Sequence, residues 1–387
     1  MTAAADTMRI DWQEAGEPRS ARWRSEAGWP APSRVQVADD RMPADAAYRL
    51  VCEGTALLWR GDFHNARQLL QALGRRIDRR PRKAPCEPVA PADLFHRHRQ
   101  AQGHRARVLG MLLVELQGDY GIALRRAPDL RAACTEAWGI PQGEQSVVAL
   151  RELTGLVGAH EWRKKGVEVP ALGQGLGHRI HPHYGVFSPV RGEYLDLVAQ
   201  APLPADRTLA FDIGTGTGVI AAVLARRGVA RVVATDTNER ALDCARDNLT
   251  RLGVQDRVQL QAVDLFPEGQ APLVVCNPPW VPARGTSALE RAVYDPDSQM
   301  LRGFLAGLAA HLAPGGEGWL VLSDLAEHLG LRTRAQLLSW IEAGHLAVRE
   351  RLDIAPRHPK AADPADPLAS ARAREVTSLW RLVSSLK

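Results

Sequence analysis

Cysteine is scarce and scattered in this sequence of 387 residues. The five cysteines include no C-x-x-C pair, so they have neither the spacing of a zinc site nor the density of a disulfide framework, and they favour a reducing compartment. No apolar run approaches the roughly 20 residues that cross a bilayer, and the first residues lack the basic and apolar regions of a signal peptide. We expect a cytoplasmic protein without a membrane span or a metal site.

Charge of one sign is in modest excess, with a formal net charge of +5. The excess falls almost entirely before residue 165, with its densest runs at residues 75–83 and 96–107. A basic half of this kind favours an anionic partner such as RNA, DNA or a ribosome. A solvated, arginine-rich surface explains the same pattern equally well.

The pattern of apolar residues divides the chain into four segments. Residues 1–42 are rich in Ala, Pro and charge, and predict a loosely ordered arm. Helical periodicity and short extended runs over residues 43–158 predict an N-terminal α+β domain, a candidate for substrate recognition. Residues 159–204 predict a hairpin followed by a helix, and residues 205–387 predict a domain in which strands and helices alternate.

The alternation in the last segment is regular enough to indicate a fold class. Strands separated by helices imply parallel βαβ units in a doubly wound sheet with helices on both faces. Two further alternating runs near the end predict a terminal antiparallel hairpin. We therefore expect an α/β fold with a seven-stranded Rossmann-like sheet, and predict its strands near residues 208–212, 231–235, 258–262, 273–276, 318–322, 346–354 and 376–382.

A glycine-rich turn joins the first of these strands to its helix, with the sequence Phe211-Asp212-Ile213-Gly214-Thr215-Gly216-Thr217-Gly218. Glycines let the backbone turn tightly and approach a ligand at the turn where such sheets bind nucleotides. Asp236 follows the second strand, where it suits ribose hydroxyls, and Asp264 follows the third, where it suits an adenine amine. A turn that binds no ligand is the alternative.

The glycine segment resembles the cofactor loop of the class I S-adenosylmethionine-dependent methyltransferases, over about residues 160–385. The resemblance implies S-adenosyl-L-methionine as cofactor, with Asp212 and the loop backbone at its methionine end and Asp236 at its ribose. It also implies that Asp264 and Leu265 contact the adenine. The implied cofactor-binding residues are Asp212, Gly214, Thr215, Gly216, Gly218, Asp236, Asn238, Asp264, Leu265 and Asn277.

The fourth strand runs into Asn277-Pro278-Pro279-Trp280. A simple strand exit is one explanation, since Asn and Pro are common in turns. The residue types also suit chemistry on a planar amino group. The Asn277 side-chain carbonyl and the Pro278 backbone carbonyl can accept its two N–H groups, and Trp280 offers a flat face. The predicted catalytic residues are Asn277, Pro278, Pro279 and Trp280.

This motif is similar to the N-P-P-aromatic motif of methyltransferases that act on a glutamine amide or on the exocyclic amine of adenine. The run from Phe187 to Glu193 also resembles the segment that lines the substrate entrance in release-factor glutamine methyltransferases. This chain departs from that family at Ser188, Val190 and Trp280, and its N-terminal region does not match their helical bundle. The implied substrate-binding residues are Tyr184, Phe187, Pro189, Arg191 and Trp280.

Three functions are open at this point. The first is methylation of a glutamine side chain in a protein, such as a release factor or a ribosomal protein. The second is methylation of adenine in rRNA, tRNA or DNA, which the basic N-terminal half favours. The third is a non-catalytic module that binds nucleic acid or the cofactor, which the intact N-P-P-W motif disfavours. Nothing in the sequence indicates an oligomeric state.

Overall fold

The computed structural model describes residues 8–79, 89–190, 192–285, 290, 292–357 and 366–386. The chain divides into two compact units. The first comprises Met1–Pro88 and His96–Glu161, and the second comprises Val89–Phe95 and Trp162–Lys387. Among the described residues, no helix combines the length and the apolarity needed to cross a bilayer.

A six-stranded sheet forms the centre of the first unit, in the strand order β1-β2-β6-β5-β4-β3. The strands are β1 (Arg9–Glu14), β2 (Glu17–Arg24), β3 (Val35–Ala38), β4 (Ala56–Trp59), β5 (Leu112–Leu116) and β6 (Ser146–Ala149). All residues of β4 and β6 are buried. The helices along this part of the chain are α1 (Ala44–Cys52), α2 (Phe63–Asp78), α3 (Pro91–Leu109), α4 (Arg131–Trp138) and α5 (Leu150–Lys165).

The predicted loosely ordered arm is wrong, because residues 9–38 supply three strands of this sheet. Strand β1 pairs antiparallel with β2, and β2 pairs parallel with β6. Ile10, Trp12, Ala21 and Trp23 are buried in one apolar cluster. Composition misled the prediction because a strand with one exposed face needs an apolar residue only at every second position.

A seven-stranded sheet forms the centre of the second unit, in the order β11-β10-β9-β12-β13-β15-β14. Strands β9 to β13 run parallel, and β15 lies antiparallel between β13 and β14. The doubly wound α/β fold with a terminal antiparallel hairpin is therefore confirmed. The strands are β9 (Leu209–Ile213), β10 (Arg231–Thr235), β11 (Val258–Gln261), β12 (Ala271–Cys276), β13 (Leu312–Ser323), β14 (Leu346–Ile354) and β15 (Thr377–Ser384).

Apolar side chains cover both faces of this sheet. The central strand β12 is buried along its whole length, as a parallel strand between two helical layers should be. A two-residue ladder between β7 (Val167–Glu168) and β8 (Arg179–Ile180) precedes the sheet. The helices of the unit are α6 (Glu193–Gln200), α7 (Val219–Arg226), α8 (Glu239–Arg251), α9 (Gln299–His311), α10 (Leu325–His328), α11 (Arg334–Ala343) and α12 (Ala369–Arg372).

Candidate active site

Strand register brings the glycine loop and the N-P-P-W motif to one edge of the second sheet. Strands β9 and β12 are parallel neighbours, with Ile213 opposite Cys276. The residues that follow, Gly214 and Asn277, therefore leave the sheet side by side, about one strand spacing of 4.8 Å apart. The other neighbour of β9 is β10, and Asp236 follows its last residue. This edge is the topological switch point, where open α/β sheets bind ligands.

Three glycines of the loop have positive φ, with values of 71° at Gly214, 56° at Gly216 and 77° at Gly218. A Cβ on Gly218 would lie 3.1 Å from the Cα of Ala245 in α8, so this glycine permits helix packing. A Cβ on Gly214 would lie 2.6 Å from the Cε of Met300. A Cβ on Gly216 would meet no described atom within 4 Å, which leaves open space beside this stretch of backbone.

Asp212 is an almost fully buried acid beneath the loop, with 1% of its surface exposed. Its Oδ2 accepts hydrogen bonds from the Thr215 hydroxyl at 2.6 Å and from the backbone N–H of Ala221 at 3.1 Å. Its Oδ1 has no hydrogen-bond partner among the described residues. Burial raises the pKa of Asp212 to about 6, because the charged carboxylate loses solvation there. A buried acceptor of this kind fits a hydrogen-bond donor on a ligand.

Asp236 holds the glycine loop against the end of β10. Its carboxylate accepts from the backbone N–H of Gly216 at 3.1 Å and from that of Asn238 at 2.9 Å. Burial raises the pKa of Asp236. Asn238 is the N-cap of α8, where its side chain accepts from the backbone N–H of Arg240 at 3.1 Å. A carboxylate has about four acceptor positions, so Asp236 keeps capacity for a ligand hydroxyl.

Asp264 and Leu265 lie in the loop after β11. Strand β11 ends at Gln261, so Asp264 does not end the strand directly, and its side chain is exposed. Leu265 has a positive φ of 56°, and its carbonyl accepts from the Thr235 hydroxyl at 2.6 Å. This hydrogen bond fixes the loop to the end of β10, next to Asp236.

The N-P-P-W motif is held by contacts of its tryptophan. Asn277 and Trp280 are half-buried and Pro278 is buried. The indole Nε1 of Trp280 donates to Oδ1 of Asn277 at 2.8 Å. Tyr194 of α6 meets the indole edge-on, with ring centroids 6.4 Å apart and planes at 88°. The structure therefore brings the predicted acceptor and the aromatic ring into direct contact, and adds Tyr194, which the sequence reasoning missed.

Asp295 is a second acid at this edge that the sequence reasoning missed. Its carboxylate accepts from the backbone N–H groups of Met300 at 3.0 Å and Leu301 at 3.1 Å, at the beginning of α9. Its own backbone N–H donates to the carbonyl of Val281 at 2.9 Å. Asp295 thus ties the residue after the motif to α9. An acid shortly before a helix is the signal that could have found it.

The predicted substrate-binding residues of the preceding segment are spread along it. Tyr184 is half-buried, and its ring centroid lies 5.9 Å from the guanidinium carbon of Arg240, beside the beginning of α8. Phe187 is half-buried and Pro189 is buried. Arg191 lies outside the described residues. Their roles stay predictions.

Asn248 of α8 links this segment to the glycine loop. Its side chain is buried, accepts from the backbone N–H of His181 at 2.7 Å, and donates to the carbonyl of Thr217 at 3.1 Å. His183 lies 2.9 Å from the carboxylate of Asp247 on the same helix. His181, through its backbone N–H, and His183, through its ring, therefore join this segment to α8.

Comparison with known proteins finds a family match within the second unit. Residues 178–337 match the family model of the methyltransferase small domain. A release factor glutamine methyltransferase of Cereibacter sphaeroides is 32% identical over 188 residues, which cover 45% of this chain and 62% of that protein. A ribosomal protein L11 methyltransferase of Symbiobacterium thermophilum is 42% identical over 138 residues, covering 36% of this chain and 38% of that protein.

A ribosomal protein uL3 glutamine methyltransferase of Bordetella pertussis is 35% identical over 123 residues, which cover 29% of this chain and 41% of that protein. The chain thus spans from 38% to 62% of the length of these three relatives.

S-adenosyl-L-methionine is the cofactor of the class I methyltransferases that the glycine loop resembles, and the site fits this cofactor. The open space beside Gly216 can accommodate a ligand against the backbone. The buried Oδ1 of Asp212 can accept a hydrogen bond from a ligand N–H group. Asp236 lies at the end of the next strand, with acceptor capacity for hydroxyls. With the seven-stranded sheet and the match of residues 178–337, these features identify a methyltransferase small domain within the second unit, with the fold of the class I S-adenosylmethionine-dependent methyltransferases.

Proposed function

We propose that this protein methylates the side-chain amide nitrogen of a glutamine in another protein. The observation that carries the proposal is the position of Asn277, whose side-chain oxygen lies at the sheet edge beside the glycine loop. Two of the relatives described above are named as glutamine methyltransferases, which supports this acceptor.

The loop residues bind the cofactor in this proposal. The backbone at Gly216 would lie against it, Oδ1 of Asp212 would accept from its amino group, and Asp236 would accept from its ribose hydroxyls. Asp264 and Leu265 border its adenine. When bound, S-adenosyl-L-methionine supplies an electrophilic methyl group on a positively charged sulfur.

The protein itself positions the amide nitrogen, which is the nucleophile. An amide nitrogen is a poor nucleophile because its lone pair is delocalised into the neighbouring carbonyl. Oδ1 of Asn277 and the backbone carbonyl of Pro278 each accept one N–H, which favours a more tetrahedral nitrogen directed at the methyl carbon. Such preorganised dipoles contribute roughly 3–4 kcal/mol in other enzymes. With the cofactor bound, the nitrogen held by Asn277 and Pro278 would gain the methyl group and give up one proton to water, and the S–C bonding electrons would stay on the sulfur.

The exocyclic amine of adenine in rRNA, tRNA or DNA is the second candidate acceptor. It is also a planar NH₂ group with a delocalised lone pair, so the same two oxygens suit it. The basic residues before residue 165 favour this alternative. The three relatives described above are all named for release factors or ribosomal proteins, and we therefore prefer the glutamine amide.

A labelling experiment separates the two acceptors. The purified protein is incubated with methyl-labelled S-adenosyl-L-methionine and with ribosomes and release factors from a strain that lacks its gene. We expect label that protease removes and ribonuclease does not, and a peptide whose glutamine has gained one methyl group in mass spectrometry. Label that only ribonuclease removes would instead establish the nucleic-acid acceptor. Absence of label from both fractions would contradict the proposed function.

A further inference from the structure

Trp280 makes contacts that a flat stacking surface does not require. Its indole N–H is directed at Oδ1 of Asn277 at 2.8 Å, and its ring is met edge-on by the buried ring of Tyr194. We propose that Trp280 is a positioning residue, whose indole N–H fixes which end of the Asn277 side-chain amide faces the reacting nitrogen. This inference deepens the proposed function and rests on it.

The side-chain amide of asparagine has two ends of similar shape and opposite polarity. Its oxygen accepts hydrogen bonds and its NH₂ group donates them, so a half-turn of the amide would face the N–H groups of an amino substrate with further N–H groups. Asn277 is only half-buried, and burial alone does not prevent this rotation. Its orientation therefore needs a specific partner.

The indole of Trp280 supplies that partner because it is a donor only. An indole N–H pairs with Oδ1 and repels the NH₂ end, so a single orientation of Asn277 is favoured. A carbonyl oxygen has two lone pairs, and the hydrogen bond from Trp280 occupies one of them. The other lone pair accepts one N–H of the substrate. A phenol at this position both donates and accepts, and it would not select the orientation in the same way.

The indole itself is held firmly enough for this task. Trp280 packs against the apolar clusters on both faces of the sheet and against a third cluster that contains Val281 and Leu325. Tyr194, which is 3% exposed, contacts its ring from α6. Packing against the core therefore fixes the orientation of the indole ring, and with it the direction of its N–H.

The first test observes the Trp280–Asn277 pair without any substrate. Selective ¹⁵N labelling of tryptophan gives indole N–H signals from the 10 tryptophans of the chain, and the signal missing from Trp280→Phe identifies Trp280. In Asn277→Ala we expect this signal to shift and its exchange with water to accelerate about tenfold or more, because a hydrogen bond is lost. Asn65→Ala, which removes a half-buried asparagine of the first unit, is the control. An unchanged Trp280 signal in Asn277→Ala would overturn the inference.

The second test uses Trp280→Phe, which keeps an aromatic ring and removes the donor. With the methylated protein identified above as substrate, we expect kcat to fall about tenfold or more, while KM for the acceptor and Kd for S-adenosyl-L-methionine change by less than about twofold. Trp319→Phe is the matched control, since its indole donates to Glu317 at 3.2 Å and not to Asn277. We expect that variant to keep its kcat even where it loses stability.

The two tests separate failure of this inference from failure of the proposed function. If the wild-type protein labels no protein, the glutamine assignment fails, and the indole signal still decides whether Trp280 orients Asn277. If the wild type is active and Trp280→Phe keeps its kcat, the positioning role is wrong. A raised KM with unchanged kcat would assign Trp280 to stacking alone and would equally contradict the inference.

Discussion

At the scale of single residues, the side-chain oxygen of Asn277 is the atom on which the proposed chemistry depends. We predict that Asn277→Ala lowers kcat by at least about a hundredfold, because one preorganised acceptor is lost in the transition state. Binding of S-adenosyl-L-methionine, measured by calorimetry, should stay close to that of the wild type. Asn65→Ala is the control, since Asn65 is a half-buried residue whose side chain donates to Asp40 in the first unit. Equal turnover in the two variants would remove Asn277 from the mechanism.

Asp212 makes the folding stability of the cofactor-free protein depend on pH, and the sign follows from its raised pKa. Its pKa is raised from 3.8 to about 6 by burial. Between these values the unfolded chain releases the proton while the folded protein keeps it, so folding stability falls as pH rises through this window. The total loss is about 3 kcal/mol, from roughly two pKa units at 1.36 kcal/mol each.

The comparison with Asp212→Asn isolates this contribution, since asparagine keeps the shape without the charge. We predict that denaturant unfolding shows the wild type losing stability relative to Asp212→Asn from pH 4 to 6, with a constant difference at higher pH. A difference that stays flat across that range would show that Asp212 titrates normally in the folded state.

The residues that sequence reasoning identified are those whose signal is local. The glycines before α7 and the asparagine and prolines after β12 are adjacent in sequence, and their spacing alone indicates a loop at a strand end. Tyr194 and the indole N–H of Trp280 act through contacts between distant segments. No local pattern carries that information, so the stacking role was predicted for Trp280 and its hydrogen bond was not.

At the scale of elements, the glycine loop contains two positions that should respond differently to a methyl group. Both Gly216 and Gly218 have positive φ, which costs alanine about 1–2 kcal/mol at either position. Only at Gly218 would the new Cβ also approach α8, at 3.1 Å from Ala245. We therefore predict a larger loss of unfolding free energy for Gly218→Ala than for Gly216→Ala.

Cofactor binding should respond strongly to a methyl group at Gly216. The space beside Gly216 is open in the protein and is filled by the cofactor in our proposal, so Gly216→Ala should fold and bind S-adenosyl-L-methionine at least about tenfold more weakly. Calorimetric titration and urea unfolding of the two variants measure both effects. Normal affinity in Gly216→Ala would mean that the cofactor does not lie against this backbone.

Sequence predicted the regular elements of the second unit closely and the irregular ones poorly. Strand β10 (Arg231–Thr235) and strand β14 (Leu346–Ile354) have the predicted bounds, because each is a continuous run between clear turn signals. Strand β13 begins at Leu312, six residues before the predicted strand. Pro314-Gly315-Gly316 interrupts its apolar pattern, and only the pairing of Leu312 with Ala271 in β12 makes it a strand.

At the scale of the whole molecule, the division into units does not follow the predicted segments. The arm predicted for residues 1–42 is largely built into the first sheet, and Val89–Phe95 belongs to the second unit although it precedes much of the first. Membership of this kind depends on contacts that are distant in sequence. Residues 91–109 form one helix, α3, and its sequence does not show which core its first turn joins.

A substitution at Phe95 tests whether Val89–Phe95 belongs to the second unit. It is 3% exposed and lies in an apolar cluster with Val281, Leu325 and Leu329. We predict that Phe95→Ala destabilises the second unit by about 3–5 kcal/mol, the usual cost of removing a buried phenyl ring. Hydrogen exchange followed by mass spectrometry should show faster exchange around residues 281–331, next to the N-P-P-W motif.

Phe63→Ala is the matched variant in the first unit, where Phe63 is 4% exposed and packs in a separate cluster. Faster exchange in that variant should be confined to the first unit. If Phe95→Ala instead accelerated exchange only in the first unit, the assignment of Val89–Phe95 to the second would be wrong.

The register of Ile213 opposite Cys276 also bears on how such an enzyme can change its substrate. Main-chain pairing of two neighbouring strands fixes the separation between the glycine loop, the proposed cofactor site, and Asn277, the proposed acceptor-binding residue, and this pairing does not depend on side-chain identity. Substitutions in the pocket around the nucleophile can therefore change substrate specificity during evolution while the separation set by the two strands stays the same.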